Sequence, residues 1–213
     1  DIKRMFTELE PSELRKAVMW FISKYSTTTR ERHLKVKRRP LKGSQNKAGN
    51  VMRGSSATNP KHYMTVTLKQ VFEIVNFDLN NAIFKIGETT YRQVKGIPMG
   101  SNLSPILAYM ICEYYERKIP LRIKGPRISN IYGARYMDDL LIVWICDEKD
   151  RTTQQKLNED IKMIVDTKRP NPIYHKDLEI KPEHDDRGIP CLGMLIFESE
   201  GLLKVRILNK NEE

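Results

Sequence analysis

No run of apolar side chains in these 213 residues approaches the roughly 18 that a membrane-spanning helix requires. The opening Asp1-Ile2-Lys3-Arg4 leads into no apolar stretch of the kind a signal peptide carries, so no membrane partner is expected. Cysteine is scarce as well. Cys112, Cys146 and Cys191 are odd in number, far apart and each set among apolar residues. They read as reduced core residues of an intracellular protein and form neither a disulfide frame nor a zinc site. Regular strand-helix alternation and internal repeats are also absent, which leaves α+β with a mostly antiparallel sheet as the expected class. What is present is 39% hydrophobic and 30% charged residues, enough to bury a sizeable core in one domain or one and a half.

Acid is missing from one stretch in particular. Residues 30–61 hold ten Lys or Arg against the single acid Glu31, so they carry +9 of the formal +10 of the chain. A solvated surface loop and a phosphate-contacting arm both fit; the one-signed concentration, with a pI near 9.5, favours the arm. Its candidate contacts are Arg30, Arg32, Lys35, Lys37, Arg38, Arg39 and Lys42. Gly43, Gly49, Gly54, Ser55, Ser56 and Pro60 mark much of it as loop or loosely held ribbon.

Around this segment the periodicity predicts ordinary elements. Leu14, Val18, Phe21 and Tyr25 recur at helical spacing behind Pro11. Thr67 and Gln70 suit a capping box ahead of Leu68, Val71, Phe72, Val75 and Leu79. Residues 83–86 and 89–93 read as a hairpin about Gly87-Glu88. A Gly/Ser/Pro loop, 95–105, has bare backbone able to lie close against a ligand. It feeds a helix with Leu103, Ile106, Leu107, Met110, Ile111 and Tyr114 on its apolar face. A third helix over 151–166 turns Leu157, Ile161, Ile164 and Val165 inward. A short strand at 178–181 and a hairpin over 191–208, turning at Glu200-Gly201, close the chain.

The chemistry centres on Tyr136-Met137-Asp138-Asp139, between the apolar runs 131–135 and 140–145. Two strands meeting at paired acids make a hairpin whose tip keeps the charges wet or holds a metal. Adjacent carboxylates repel unless a cation sits between them. Alone, Asp-Asp reads as a polar turn. Two other segments change that: Asp1-Ile2-Lys3-Arg4-Met5-Phe6 resembles polymerase motif A, and Gly96-Ile97-Pro98-Met99-Gly100-Ser101-Asn102-Leu103-Ser104-Pro105 resembles motif B. Tyr136-Met137-Asp138-Asp139 then resembles motif C of reverse transcriptases, and Ile189-Pro190-Cys191-Leu192-Gly193 the primer-grip turn. Met-Gly-Ser-x-Leu-Ser-Pro in motif B, with Met-Phe-Thr-x-Leu after motif A, is most similar to Penelope-like retroelement reverse transcriptases.

The resemblance implies a right-hand polymerase palm, an antiparallel sheet backed by helices, with part of the fingers. Residues 1–26 are expected to be palm, 27–95 a fingers portion with the basic insertion, and 96–213 palm with motifs B, C and D and the primer-grip hairpin. The implied activity is RNA-directed DNA polymerisation from a retroelement, extending a primer 3′ end with dNTPs on an RNA template. Two divalent ions about 3.5–4 Å apart serve such transfer, and oxygen ligands suit Mg²⁺, with Mn²⁺ as substitute. By resemblance Asp1 and Asp138 bridge both ions, the Ile2 carbonyl holds the nucleotide metal, and Asp139 is a weaker ligand. Phe6 is either the wall beneath the sugar that selects deoxynucleotides or plain core packing. Met99 stands where many retroviral relatives carry Gln; Gly100 and Ser101 approach the nucleotide through backbone, beside Tyr136 and Met137. Cys191, Leu192 and Gly193 grip the primer. Lys176 is the candidate proton donor to pyrophosphate, with Lys181 and His175 close by.

The family's thumb, further fingers and, in some members, a nuclease lie outside this sequence, so the 213 residues alone are expected to be a weak or inactive polymerase. A mobile element would work in the nucleus. Two other readings stay open: a decayed or domesticated palm that binds nucleic acid without catalysis, and an RNA-dependent RNA polymerase, disfavoured by Phe6 and the Met-Asp-Asp turn.

Overall fold

A computed structural model of the chain describes residues 2–30, 32–37, 51–52, 63–98, 100–123, 126–147, 149–181 and 187–208. In chain order the elements are β1 (Ile2–Lys3), α1 (Met5–Glu8), α2 (Pro11–Thr29), β2 (His33–Lys37), β3 (Val51–Met52), β4 (Tyr63–Thr67), α3 (Leu68–Asn80), β5 (Ile83–Ile86) and β6 (Thr89–Arg92). Then follow α4 (Ser104–Glu116), α5 (Ile119–Arg122), β7 (Ile131–Tyr136), β8 (Asp139–Trp144), α6 (Arg151–Val165), β9 (Glu179–Ile180), β10 (Ile189–Cys191), β11 (Met194–Ser199) and β12 (Leu202–Ile207). The fold is mixed α and β, and every ladder among the described residues is antiparallel. The ladders form five small sheets of two or three strands, where the sequence led us to expect one. The chain divides into two compact units, residues 10–111 and residues 1–9 with 112–213.

In the first unit, α2 starts on Pro11, whose missing N–H costs nothing in a first turn. It buries Leu14, Ala17 and Val18. α3 begins with the expected reciprocal cap: Gln70 N–H donates to Thr67 Oγ1 at 3.1 Å and Thr67 N–H to Gln70 Oε1 at 2.8 Å. Arg15 ties the two helices, donating to Asn76 at 2.6 Å and Asn80 at 2.8 Å. Strands β2 and β4 pair from His33↔Thr67 to Lys37↔Tyr63, a ladder that joins the start of the stretch expected to be loose to the residues just after it. Leu34 and Val36 alternating with lysines supply a period-2 pattern that the charge obscures.

The predicted face of α4 needs correcting. Ile106 is 53% exposed, and the buried stripe is Leu107, Ala108, Ile111, Cys112 and Tyr115. This helix is apolar on nearly all sides, so spacing alone could not choose the inward side.

In the second unit the core holds Ile2, Met5, Leu9, Tyr115, Ile123, Leu157, Ile164, Ile173, Tyr174, Leu178 and Leu195. The buried Cys112 thiol sits 3.4 Å from the sulfur of Met5. Of the three free cysteines it alone is a core residue; Cys146 and Cys191 are only half-buried, contrary to expectation. No described helix is long and apolar enough to cross a membrane.

Candidate active site

The acids sit on the hairpin that the alternating apolar runs dictate. β7 and β8 pair from Ile131↔Trp144 to Tyr136↔Asp139, leaving Met137 and Asp138 as a two-residue turn. Met137 has φ +54, a left-handed backbone that side chains other than glycine adopt at a cost of about 1–3 kcal/mol. Tyr136 is 62% exposed beside it, and both acids are half-buried.

The strand carrying the first motif joins this turn. Ile2 N–H donates to the Asp138 carbonyl at 2.9 Å. On its other side β1 pairs with β9, Ile2↔Ile180 and Lys3↔Glu179. Backbone hydrogen bonds thus run from β9 through Ile2 to the acid turn, and a buried Ile2 anchors the row. Asp1 lies outside the described residues. Phe6, four residues beyond Ile2, is half-buried in α1, whose start at Arg4 also has positive φ.

Asp139 opens β8 and borders a largely apolar cavity of about 400 Å³ that reaches Pro190 and Cys191. Burial, then the negative charge of Asp139, pushes the Cys191 thiol above its ordinary value. After Cys191 the chain turns through Leu192 and Gly193, both with positive φ, into β11. Leu192 is 52% exposed in a conformation that suits Asn or Gly, so the tip carries strain where it projects. Lys176 is exposed three residues before β9, and its carbonyl accepts from Lys168 Nζ at 2.8 Å. His175 faces Asp177 at 3.6 Å and Lys181 faces Glu179 at 3.5 Å.

Ile2, Phe6, the 136–139 turn, Lys176 and the 191–193 tip therefore belong to one unit. Gly100 and Ser101 belong to the other, and Met99 lies outside the described residues. Gly100 has φ +92, open to glycine without strain. Ser101 Oγ donates to Asp78 at 2.8 Å and accepts from Leu103 N–H at 3.1 Å. The Gln93 amide donates to the carbonyls of Lys95 at 2.8 Å and Ile97 at 3.3 Å, pinning the loop from its other end. Asp78 and Gln93 were missed in the sequence because nothing local marks them as loop anchors.

Of the basic segment, Arg30 and Arg32 are exposed and Lys37 lies in β2. Lys35, also in β2, is only 6% exposed. Arg38, Arg39 and Lys42 lie outside the described residues.

A part-buried ionic cluster, unforeseen in the sequence, lies behind the acid turn. Arg135 Nε donates to Glu116 Oε1 at 2.6 Å, and Tyr174 Oη donates to the same oxygen at 2.8 Å. Burial pulls the Arg135 guanidinium down, but its hydrogen bond to Glu116 and the surrounding charges outweigh that and hold it above its ordinary value. Burial and Glu116 together keep Tyr174 protonated well above the usual range. The Cys112 thiol is pushed up to about 12 by burial, Arg135 opposing and Glu116 and Asp138 reinforcing. An arginine inside an apolar strand beside two acids was the available signal.

Among the described residues no three His, Cys, Asp or Glu side chains gather to hold a metal. Asp138 and Asp139 are two hard carboxylates in succession, a donor type suited to Mg²⁺, which takes one or two carboxylates and fills its shell with water and phosphate.

No protein-family model matches the chain. A telomerase reverse transcriptase of Mus musculus is 27% identical over 103 residues, which are 48% of this chain and 9% of that protein. The chain thus has a partial likeness to a reverse transcriptase and aligns with less than a tenth of that relative's length.

Proposed function

We propose that the chain is the palm, with part of the fingers, of an RNA-directed DNA polymerase, and that it works by two-metal nucleotidyl transfer. The observation that carries the reading is the 2.9 Å bond from Ile2 N–H to the Asp138 carbonyl, which sets the residue after Asp1 against the acid turn. Three sequence segments far apart in the chain resemble motifs A, B and C, and two of them meet at that bond. The partial likeness to a telomerase reverse transcriptase is independent support. The finer assignment to Penelope-like retroelements rests on the form of motifs A and B alone.

In this reading Asp1, Asp138 and the Ile2 carbonyl hold the divalent ions, with Asp139 as a weaker ligand. Ions held there would supply a lowered pKa for the primer 3′ hydroxyl and charge neutralisation for the triphosphate. The remaining work is positioning, which supplies most of phosphoryl-transfer catalysis. Phe6 lies beneath the sugar and rejects a 2′ hydroxyl. Gly100 and Ser101 bring backbone to the nucleotide, the strained Leu192 tip holds the primer end, and Lys176 protonates the departing pyrophosphate. The exposed Arg30 and Arg32, with the other basic residues of the 30–61 segment, meet template phosphates. The test is primer extension by the full-length protein on RNA with labelled dNTPs or NTPs. Incorporation of dNTPs supports the reading, NTP incorporation alone points to an RNA polymerase, and hybrid binding without incorporation to a decayed palm.

A further inference from the structure

Among the described residues two hairpins close with a two-residue turn that has positive φ at its first residue only. Between β5 and β6 that residue is Gly87, at φ +59. Between β7 and β8 it is Met137, at φ +54. Glycine takes this conformation without penalty, whereas methionine needs its surroundings to hold it there.

The surroundings are specific. Arg135 Nη1 donates to the Met137 carbonyl at 3.1 Å, so one guanidinium nitrogen grips the strained peptide itself. The other two face one carboxylate: Nε lies 2.6 Å from Glu116 Oε1 and Nη2 3.4 Å from Glu116 Oε2. The Arg135 side chain is only 6% exposed, and that of Glu116 20%. Glu116 is fixed in turn by Tyr174 Oη and ends α4. Tyr174 is buried against Tyr115, with ring centroids 6.1 Å apart at 66°. Its segment is tied by Lys118 Nζ donating to the Ile173 carbonyl at 3.0 Å. A planar fork with a fixed angle between its donors can hold a carboxylate and a carbonyl at once, which the single ammonium of a lysine cannot.

We infer that Arg135, braced by Glu116 and Tyr174, is a positioning residue that holds the strained Met137 turn and thereby aims the Asp138 and Asp139 carboxylates. What those carboxylates do rests on the polymerase reading; the hold on the turn does not. In a rigid brace the acids arrive preorganised, and metal binding spends little free energy on ordering them.

The test uses the full-length protein with Arg135→Lys, which keeps the charge and loses the fork. The first readout is amide hydrogen exchange over residues 136–140 in metal-free protein, and the second is Mn²⁺ affinity by electron paramagnetic resonance. We expect Arg135→Lys to speed exchange in the turn and weaken Mn²⁺ binding, each by about tenfold, the worth of one charge-assisted hydrogen bond. In a Met137→Gly background the same substitution should cost distinctly less, because glycine holds the turn unaided. Tyr174→Phe, a milder change, should act in the same direction should Arg135→Lys lower the melting temperature markedly. Unchanged turn exchange in both variants, or an Arg135→Lys penalty equal with Met137 and with Gly at 137, overturns the inference. If exchange rises but the unsubstituted protein incorporates no nucleotide, the brace stands and the polymerase reading falls.

Discussion

Replacing Gly188 with Ala should destabilise the fold at the root of the 191–193 tip. Gly188 has φ +145, a region closed to other residues. An added Cβ would lie 2.5 Å from the Ile196 carbonyl oxygen, 3.0 Å from Phe197 Cβ and 3.2 Å from the Ile196 carbonyl carbon. Two of those atoms are backbone of β11 in its ladder with β10 and β12, so no side chain can swing aside to relieve the contact. The backbone conformation costs about 1–3 kcal/mol, and forcing β11 away a further 1–3 kcal/mol or so. Gly193 provides the control: its φ is +74, nothing lies within 4 Å of its Cβ position, and Gly193→Ala should cost about 1 kcal/mol. Urea unfolding followed by circular dichroism should therefore place Gly188→Ala about 2–6 kcal/mol below the unsubstituted protein at constant slope, with Gly193→Ala well above it. Equal, sub-kilocalorie effects for the two would refute the close approach of β10 and β11 at Gly188.

On the proposed polymerase reading, in which Phe6 walls the sugar from below, Phe6→Val should raise ribonucleotide incorporation relative to deoxynucleotide while Phe6→Tyr keeps discrimination; an unchanged ratio in the Val variant reduces Phe6 to core packing. Replacing Arg30, Arg32, Lys37, Arg38 and Arg39 with Gln should weaken RNA–DNA hybrid binding and flatten its salt dependence by about 0.7–0.9 in slope per lost phosphate contact; an affinity and slope that both stay put remove the segment from the interface. Cys112 gives a pH prediction. Its thiol sits at about 12 in the folded chain against an ordinary 9.0, so its contribution to stability is intact below pH 9 and is lost as pH rises toward 12. That loss amounts to about 4 kcal/mol over the window. Cys112→Ala should flatten alkaline unfolding there, Tyr174 supplying a residual slope of the same sign above pH 10; equal pH dependence with and without the thiol would contradict its burial.

What the sequence made legible follows from range. The Thr67–Gln70 cap, the Pro11 helix start, the two strands about Met137-Asp138 and the Glu200-Gly201 turn are each encoded within a few residues, and each stands in the structure as read. The strand at 33–37 was hidden because lysines occupy alternate positions, and the charge drew the reading toward a loop; its partner at 63–67, Tyr-Met-Thr-Val-Thr, follows directly on that basic stretch. The inward side of α4 failed for the opposite reason, too many apolar residues and no polar face to orient them. The brace behind the acid turn was out of reach altogether. Glu116 is 19 residues from Arg135 and 58 from Tyr174, and no periodicity links partners at such separations.

The most direct test of the central claim is single-nucleotide incorporation by full-length Asp138→Asn protein on a DNA primer annealed to RNA, with Mg²⁺ and again with Mn²⁺. A neutral amide cannot hold two divalent ions, so the account predicts a fall of about a thousandfold or more with either metal. Hybrid affinity and melting temperature should stay close to those of the unsubstituted protein. Incorporation retained near the unsubstituted rate would remove Asp138 from the metal site and contradict the polymerase reading of this hairpin.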